Sequence, residues 1–206
     1  MKVTRFLLTA ALITGVNMLV IRALPSITGD QEMSAQEKKM MDQMMKYGTP
    51  GTGHELLKKY VGDWDVEAST WAAPGAPVQK SKGTSKNQLI LDGRYVKCDF
   101  AGTMGGMNFT GFEIIGYDLY KKMYTTFWID SMSTSFLTTS GTLNMAGNVL
   151  TETGSSPDPM TDGKTMQKYR NVTTFMADGQ YKFEMFMVMP DGKESKGMEL
   201  VFTRKM

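Results

Sequence analysis

A nucleophile–base mechanism has very few places to sit in this chain. The sequence holds one histidine, His54, and one cysteine, Cys98. A Ser-His-Asp or Cys-His arrangement would have to use His54 as its base. The same count excludes a structural zinc site of cysteines and histidines, and a single cysteine forms no intramolecular disulfide. Cys98 reads as a small core or wall residue. Other polar groups stand on strand-like segments. Met123, Thr125, Phe127 and Ile129 alternate with Tyr124, Thr126, Trp128 and Asp130, and neither set is wholly polar. That is expected of a strand with one face on a cavity. Asp130 and Ser131 fall where this strand ends, so Trp128, Asp130 and Ser131 are candidates for the mouth of a ligand cavity. The bland alternative is an Asp and a Ser that bond the backbone of their own turn. Arg94, Tyr95, Arg170 and Glu184 are further strand candidates for ligand binding, as is Glu199 for charge. An inward arginine would suit a ligand carboxylate. The competing reading is solvated outer faces with a structural ion pair.

Methionine is the compositional outlier, with 20 residues. Met40, Met41, Met44 and Met45 form two M-x-x-x-M pairs, and soft thioethers favour Cu(I). That gives a copper alternative, but no histidine accompanies them and no metal site is assigned. Tyr181, Phe183, Met185, Met187 and Met189 share one strand face, and Met198, Leu200 and Phe202 another. These would fill or line an interior, for which adaptable methionine is well suited. No cofactor is expected, and His54, the single histidine, precedes the first strand.

The elements that must position these residues are mostly strands. Gly62-Asp63-Trp64 opens a segment in which Trp64, Val66, Ala68 and Thr70 alternate with Asp63, Asp65, Glu67 and Ser69, a strand with one buried face. A short helix over 54–61 leads into it, with Leu56, Leu57, Tyr60 and Val61 on one side. Nine more strands are expected at 83–91, 94–102, 107–117, 121–130, 134–143, 148–154, 164–176, 180–189 and 195–205. Turn pairs such as Asp92-Gly93, Gly105-Gly106 and Asp178-Gly179 separate them. No helix-length period intervenes, so βαβ units are not expected. About ten successive antiparallel strands favour closure into an all-β barrel, because closure removes exposed edges.

Before the barrel come two appendages. Residues 1–24 read as a signal peptide, with Lys2 and Arg5 ahead of an apolar run over 6–21. An uncleaved N-terminal anchor is the alternative, and it would be the one route to a membrane. The expected location is therefore exported, periplasmic or secreted. Residues 25–52 form a methionine-rich helical arm, in which Ser34 and Glu37 make a capping box; the barrel domain is 53–206. Setting aside Lys2, Arg5, Arg22 and Asp30 from 23 basic and 21 acidic residues leaves 20 of each. Such a neutral body gives no basic face for nucleic acid.

Several of these motifs together resemble domain-of-unknown-function family 1579. They are the 35–45 helix, Thr49-Pro50-Gly51, His54-x-x-Leu57, Val61-Gly62-Asp63-Trp64-Asp65-Val66, Asp92-Gly93-Arg94-Tyr95, Gly111-Phe112, Gly116-Tyr117-Asp118, the run 128–134, Phe183-Glu184-Met185, Pro190-Asp191-Gly192 and Thr203-Arg204-Lys205. The resemblance spans nearly all of residues 30–206. It implies a bacterial, lipocalin-like, calycin-type barrel and no established activity. In calycin barrels the G-x-W tryptophan packs across one end with a last-strand arginine over its ring. Gly62, Trp64 and Arg204 are thus expected to be structural, with Arg170 a competitor for the pairing.

Three functions stay open on these residues. The favoured one is a barrel that binds a small apolar or amphipathic ligand without catalysis. The second is an enzyme acting on a small lipid-like or carbonyl substrate, with Asp130, Tyr95 and Arg94 at the mouth. It requires a cavity carboxylate or tyrosine of displaced pKa. The third is an envelope interaction or stress module docking through the helical arm.

Overall fold

Period-two burial is the feature from which the architecture follows. Along β1 (Gly62–Thr70), Trp64, Val66 and Ala68 are buried while Asp63, Asp65 and Glu67 are exposed. In the computed structural model, which describes residues 33–177 and 179–206, nine strands follow β1. They are β2 (Gln79–Ile90), β3 (Tyr95–Met104), β4 (Met107–Asp118), β5 (Met123–Asp130), β6 (Leu137–Leu143), β7 (Val149–Pro157), β8 (Met166–Phe175), β9 (Gln180–Val188) and β10 (Glu194–Arg204). Each pairs antiparallel with its neighbours in sequence, and β10 returns to β1, so the barrel is closed.

The expected strands are therefore found, with shifts at their ends. β2 begins at Gln79, ahead of the expected 83, because Gln79 to Lys82 pair with Thr70 to Glu67. Those residues are polar and carry no alternation, so only the partner strand reveals them. β7 likewise runs on to Pro157 by pairing with Met166 on β8. The Gly105-Gly106 pair is a two-residue hairpin with both φ angles positive (57° and 81°), a geometry glycine adopts freely.

One end of the barrel is shut by a 3-10 turn (Thr52–Leu56) that continues as the short helix α2 (Leu57–Tyr60). Leu56, Leu57 and Tyr60 are buried there, packed with Trp64, Val96, Ile115, Leu150 and Phe202. Trp64 Nε1–H donates to the Tyr60 carbonyl at 2.8 Å. The Asn87 amide donates to the same carbonyl at 2.9 Å and to the Tyr181 hydroxyl at 3.2 Å. Over the indole ring lies the Arg204 guanidinium, 4.3 Å from its centre. Arg204 also donates to the Val61 carbonyl at 2.6 Å. Gly62 has φ +134° and a Cβ there would overlap the guanidinium, so glycine is required on both counts. Arg170 lies instead over Phe186, at 4.4 Å.

A further helix, α1 (Ala35–Gly48), precedes the barrel. Ser34 and Glu37 cap it reciprocally: the Ser34 amide donates to Glu37 at 2.8 Å, and the Glu37 amide to Ser34 Oγ at 3.3 Å. No residue of α1 is buried, and Met40, Met41, Met44 and Met45 are all exposed. Asp42–Met206 is one compact unit, and the residues described ahead of it belong to a second. The expected leader, residues 1–24, lies outside the described residues, as does Asp178 of the expected Asp178-Gly179 turn. No helix among the described residues is long and apolar enough to cross a membrane.

Truncating Trp64→Ala removes a fully buried indole and its hydrogen bond, and is expected to cost about 3–5 kcal/mol. Arg204→Met keeps the length of the side chain and removes the cation, for a loss of about 0.5–2 kcal/mol. Urea unfolding of both variants checks the order of the two effects.

Candidate functional site

The same alternation that buries Trp64 turns a second set of side chains into the lumen above it. On β4, Phe109, Glu113 and Ile115 share the inward parity. On β5 it falls to Tyr124, Thr126, Trp128 and Asp130, on β6 to Leu137 and Thr139, and on β7 to Leu150 and Glu152. Tyr169, Asn171 and Thr173 continue it on β8. Ile115, Tyr124 and Leu150 belong to the packed floor, and the others line a cavity of about 580 Å³. That volume falls in the range of small-molecule sites, roughly 300–1,000 Å³.

The wall is divided. Phe100, Phe109, Trp128, Phe183, Met185 and Leu200 make an apolar surface. Phe109 and Trp128 are near-parallel at 6.2 Å, with Phe100 edge-on to Phe109 at 5.7 Å. Trp128 is held in place from two sides. A Cβ on Gly111 would stand 2.6 Å from its ring, so only glycine leaves room for it, and its Nε1–H donates to Asp130 Oδ2 at 2.7 Å. The other part of the wall is polar and acidic. Glu152 is buried and accepts from the Thr126 hydroxyl at 2.8 Å. Glu113 lies deep in the barrel beside Cys98, its cross-strand neighbour. It retains some accessible surface because it borders the cavity, not bulk solvent.

Burial, and then the nearby Glu152 carboxyl, push Glu113 up to about 8. Burial raises Glu152 as well, against the Thr126 hydroxyl bonded to it and the Thr139 hydroxyl beside it. No cation contributes to either acid. Burial likewise raises the Cys98 thiol well above its ordinary range. Three polar atoms near these acids have no hydrogen-bond partner: Thr139 Oγ1, the Tyr169 hydroxyl and Asn171 Oδ1. A buried polar atom left unpaired is uncommon and asks for an explanation.

The structure separates the residues that sequence reasoning had grouped. Trp128 and Asp130 line the cavity, toward the Gly105-Gly106 end that forms its mouth. Asp130 also accepts from the Met132 amide at 2.8 Å, so it holds its own turn as well. Ser131 is exposed and bonds across to Thr110, outside the lining. Arg94 and Tyr95 are corrected in position: they stand at the opposite, helix-closed end. Arg94 donates to the Gly48 carbonyl at 2.8 Å, and Tyr95 packs outside over Gly116. Asp130, Tyr95 and Arg94 therefore do not converge. Arg170 and Glu184 are corrected too, since their strand parity turns them outward. Arg170 pairs with Glu194, and Glu184 with Lys182 and Lys196. His54 is buried in the floor, where its Nδ1 accepts from the Gly51 amide at 3.0 Å. Burial lowers its pKa, and it is spent on shaping the turn.

Glu113 and Glu152 were not among the sequence candidates. Their signal was parity: Glu113 shares a face with Phe109 and Ile115, and Glu152 with Leu150. On β4 the opposite face carries Phe112 and Ile114, so parity alone was ambiguous there. Among the described residues no group of three or more His, Cys, Asp or Glu is arranged to hold a metal ion.

With the geometry in hand, the comparisons place the chain in a family. The model of the family described as a protein of unknown function (DUF1579) matches residues 49–204, and the chain belongs to that family. The matched span begins after α1, narrower than the motifs from residue 30 onward implied. No curated protein matches the chain.

Glu113 ties stability to pH. In the unfolded chain it releases its proton near 4.5, and in the barrel near 8. Between these values the folded state holds more protons, so stability falls as pH rises through that window and levels off above it. The span is on the order of 5 kcal/mol at most. Glu113→Gln is expected to flatten this dependence and to be the more stable protein above neutrality, as read by denaturant unfolding at acidic and alkaline pH.

Proposed function

We propose that this member of the DUF1579 family binds a small apolar or amphipathic ligand inside its barrel, without chemistry. The observation that carries the reading is the cavity of about 580 Å³, enclosed by the closed strand wall and shut at one end by α2. Small-ligand sites combine an apolar wall with a few convergent polar groups. Here the aromatic and methionine side chains would take the body of the ligand, and the Glu113–Glu152 region its polar part. The wall needs little rearrangement to receive it, because the lining side chains sit on paired strands and not on loops. Export, read from residues 1–24, belongs to the same proposal: the ligand would be met outside the cytoplasm.

A second reading, an enzyme acting on a small lipid-like or carbonyl substrate, is favoured by one observation. Glu113 is a cavity carboxyl displaced to about 8, as a general acid or base would be. Arg94 and Tyr95, expected beside Asp130 in such an enzyme, lie at the other end of the barrel, and among the described residues no nucleophile–base pair faces Glu113. Ligand binding asks for fewer groups and accounts for the whole wall.

The test is a titration of an apolar fluorescent probe against the full chain, with tryptophan fluorescence, to which the cavity residue Trp128 contributes, as the internal signal. Saturable one-to-one binding is expected. Leu200→Trp, which fills the lumen from β10, is expected to weaken it by at least about tenfold. Absence of saturable binding by the unaltered protein would reject the reading.

A further inference from the structure

We propose that the inner half of the lumen is a binding site for an organic ammonium head group, held between the Glu113 and Glu152 carboxyls. The ligand class is an amphiphilic amine with an alkyl or aryl body. This rests on the lumen-binding reading above and specifies which ligand that lumen prefers.

The argument begins with what the acidic wall lacks. Two carboxyls face the inner half of the cavity, and among the described residues the one lysine on the lining, Lys80, is an exposed mouth residue on β2. Buried charges are ordinarily paired or neutralised. Here no side chain of the lumen supplies the cation. The acids do not stand alone as a signal. Tyr169, 6% exposed, borders the same space with a hydroxyl that bonds to nothing, and the equally buried Thr139 hydroxyl stands beside Glu152 without a hydrogen bond of normal geometry. Asn171 Oδ1 is a third unpartnered atom, and it can only accept. The wall thus presents two carboxyls and an amide oxygen as acceptors, with hydroxyls able to act either way. An ammonium carries three N–H donors and no acceptor, so it matches this set; a carboxylate head would meet acids and an acceptor. The rest of the cavity agrees. The near-parallel faces of Phe109 and Trp128 favour an apolar body. Two carboxyls are too few for a calcium site, which takes six to eight oxygens.

Binding would be linked to protons. At neutral pH Glu113 enters as the neutral acid, so its proton goes to solvent as the ammonium arrives and a carboxylate–ammonium pair remains. The titratable groups facing this region are Glu152 from β7, Cys98 from β3, Tyr60 from α2, Tyr169 from β8 and Tyr181 from β9, with Asp130 and Lys80 at the mouth. Burial raises Cys98, Tyr60, Tyr169 and Tyr181, so these stay neutral over the range in which Glu113 titrates.

Isothermal titration of the full chain with octylamine, octanol and octanoate tests this, since the three share one apolar body. Octylamine is expected to bind at least about tenfold more tightly than either of the others at neutral pH. Its heat should depend on the buffer, showing release of about one proton, and its affinity should rise from about pH 6 to about pH 8.5. Glu113→Gln with Glu152→Gln should abolish the preference and leave octanol unaffected, which also shows that the variant still has its lumen. Equal binding of octylamine and octanol, tighter octanoate, or an undiminished amine preference in the double variant would overturn the ammonium site while lumen binding stands. Failure of all three probes to bind would remove both.

Discussion

Everything in this barrel depends on joining its last strand to its first. β1 and β10 are far apart in sequence, and their pairing is the only contact that turns a ten-strand meander into a closed wall. The register Trp64↔Arg204 sets the guanidinium over the indole at the point where the two strands meet. The Tyr60 carbonyl, shared by Trp64 and Asn87, then fixes α2 across the opening. Gly62 permits this because nothing larger fits beneath the arginine. One local arrangement thus serves closure, the floor and the register of the neighbouring strands.

Once the wall is closed, its inner face must contend with its own polar groups. Most of the floor polarity is satisfied: Ser85 bonds Asn87, and Asn87 reaches both Tyr60 and Tyr181. Higher in the lumen the balance changes. Glu113 and Glu152 are held where charge is disfavoured, without a cation, and the hydroxyls around them are incompletely used. A core evolved only for stability would have apolar residues at these positions, since burial of an unpaired acid opposes folding. The contrast between a satisfied floor and an unsatisfied lumen is the physical basis for reading the lumen as a site.

The outer face handles charge by a different rule. Lys196 bridges Glu184 and Glu199, and Arg170 meets Glu194, all on β8, β9 and β10. Phe186 sits between the Arg170 and Lys196 cations. These pairs are partly solvated, and their contribution is correspondingly modest. They keep a partly apolar outer surface in contact with water, with Arg170 and Glu184 turned away from the lumen.

Much of the architecture was legible because it is local. Alternation along 63–70 marks one buried face, Gly105-Gly106 marks a hairpin, and Ser34 with Glu37 marks a helix start, since each is set by residues a few positions apart. Even the Trp64–Arg204 contact could be anticipated, because the family resemblance supplied the long-range pairing that spacing does not. The site was less legible. Arg94 and Tyr95 were grouped with Asp130 by chemistry, yet successive strands run in opposite directions, so position along the barrel depends on the direction of each strand. Glu184 and Arg170 looked like ligand contacts, and Glu113 like any strand glutamate. Alternation states that two faces exist; where both carry apolar residues, as on β4, it does not state which one is inside. Closure alone decided that, by bringing β4 to β8 around a common space and leaving Glu113 and Glu152 within it.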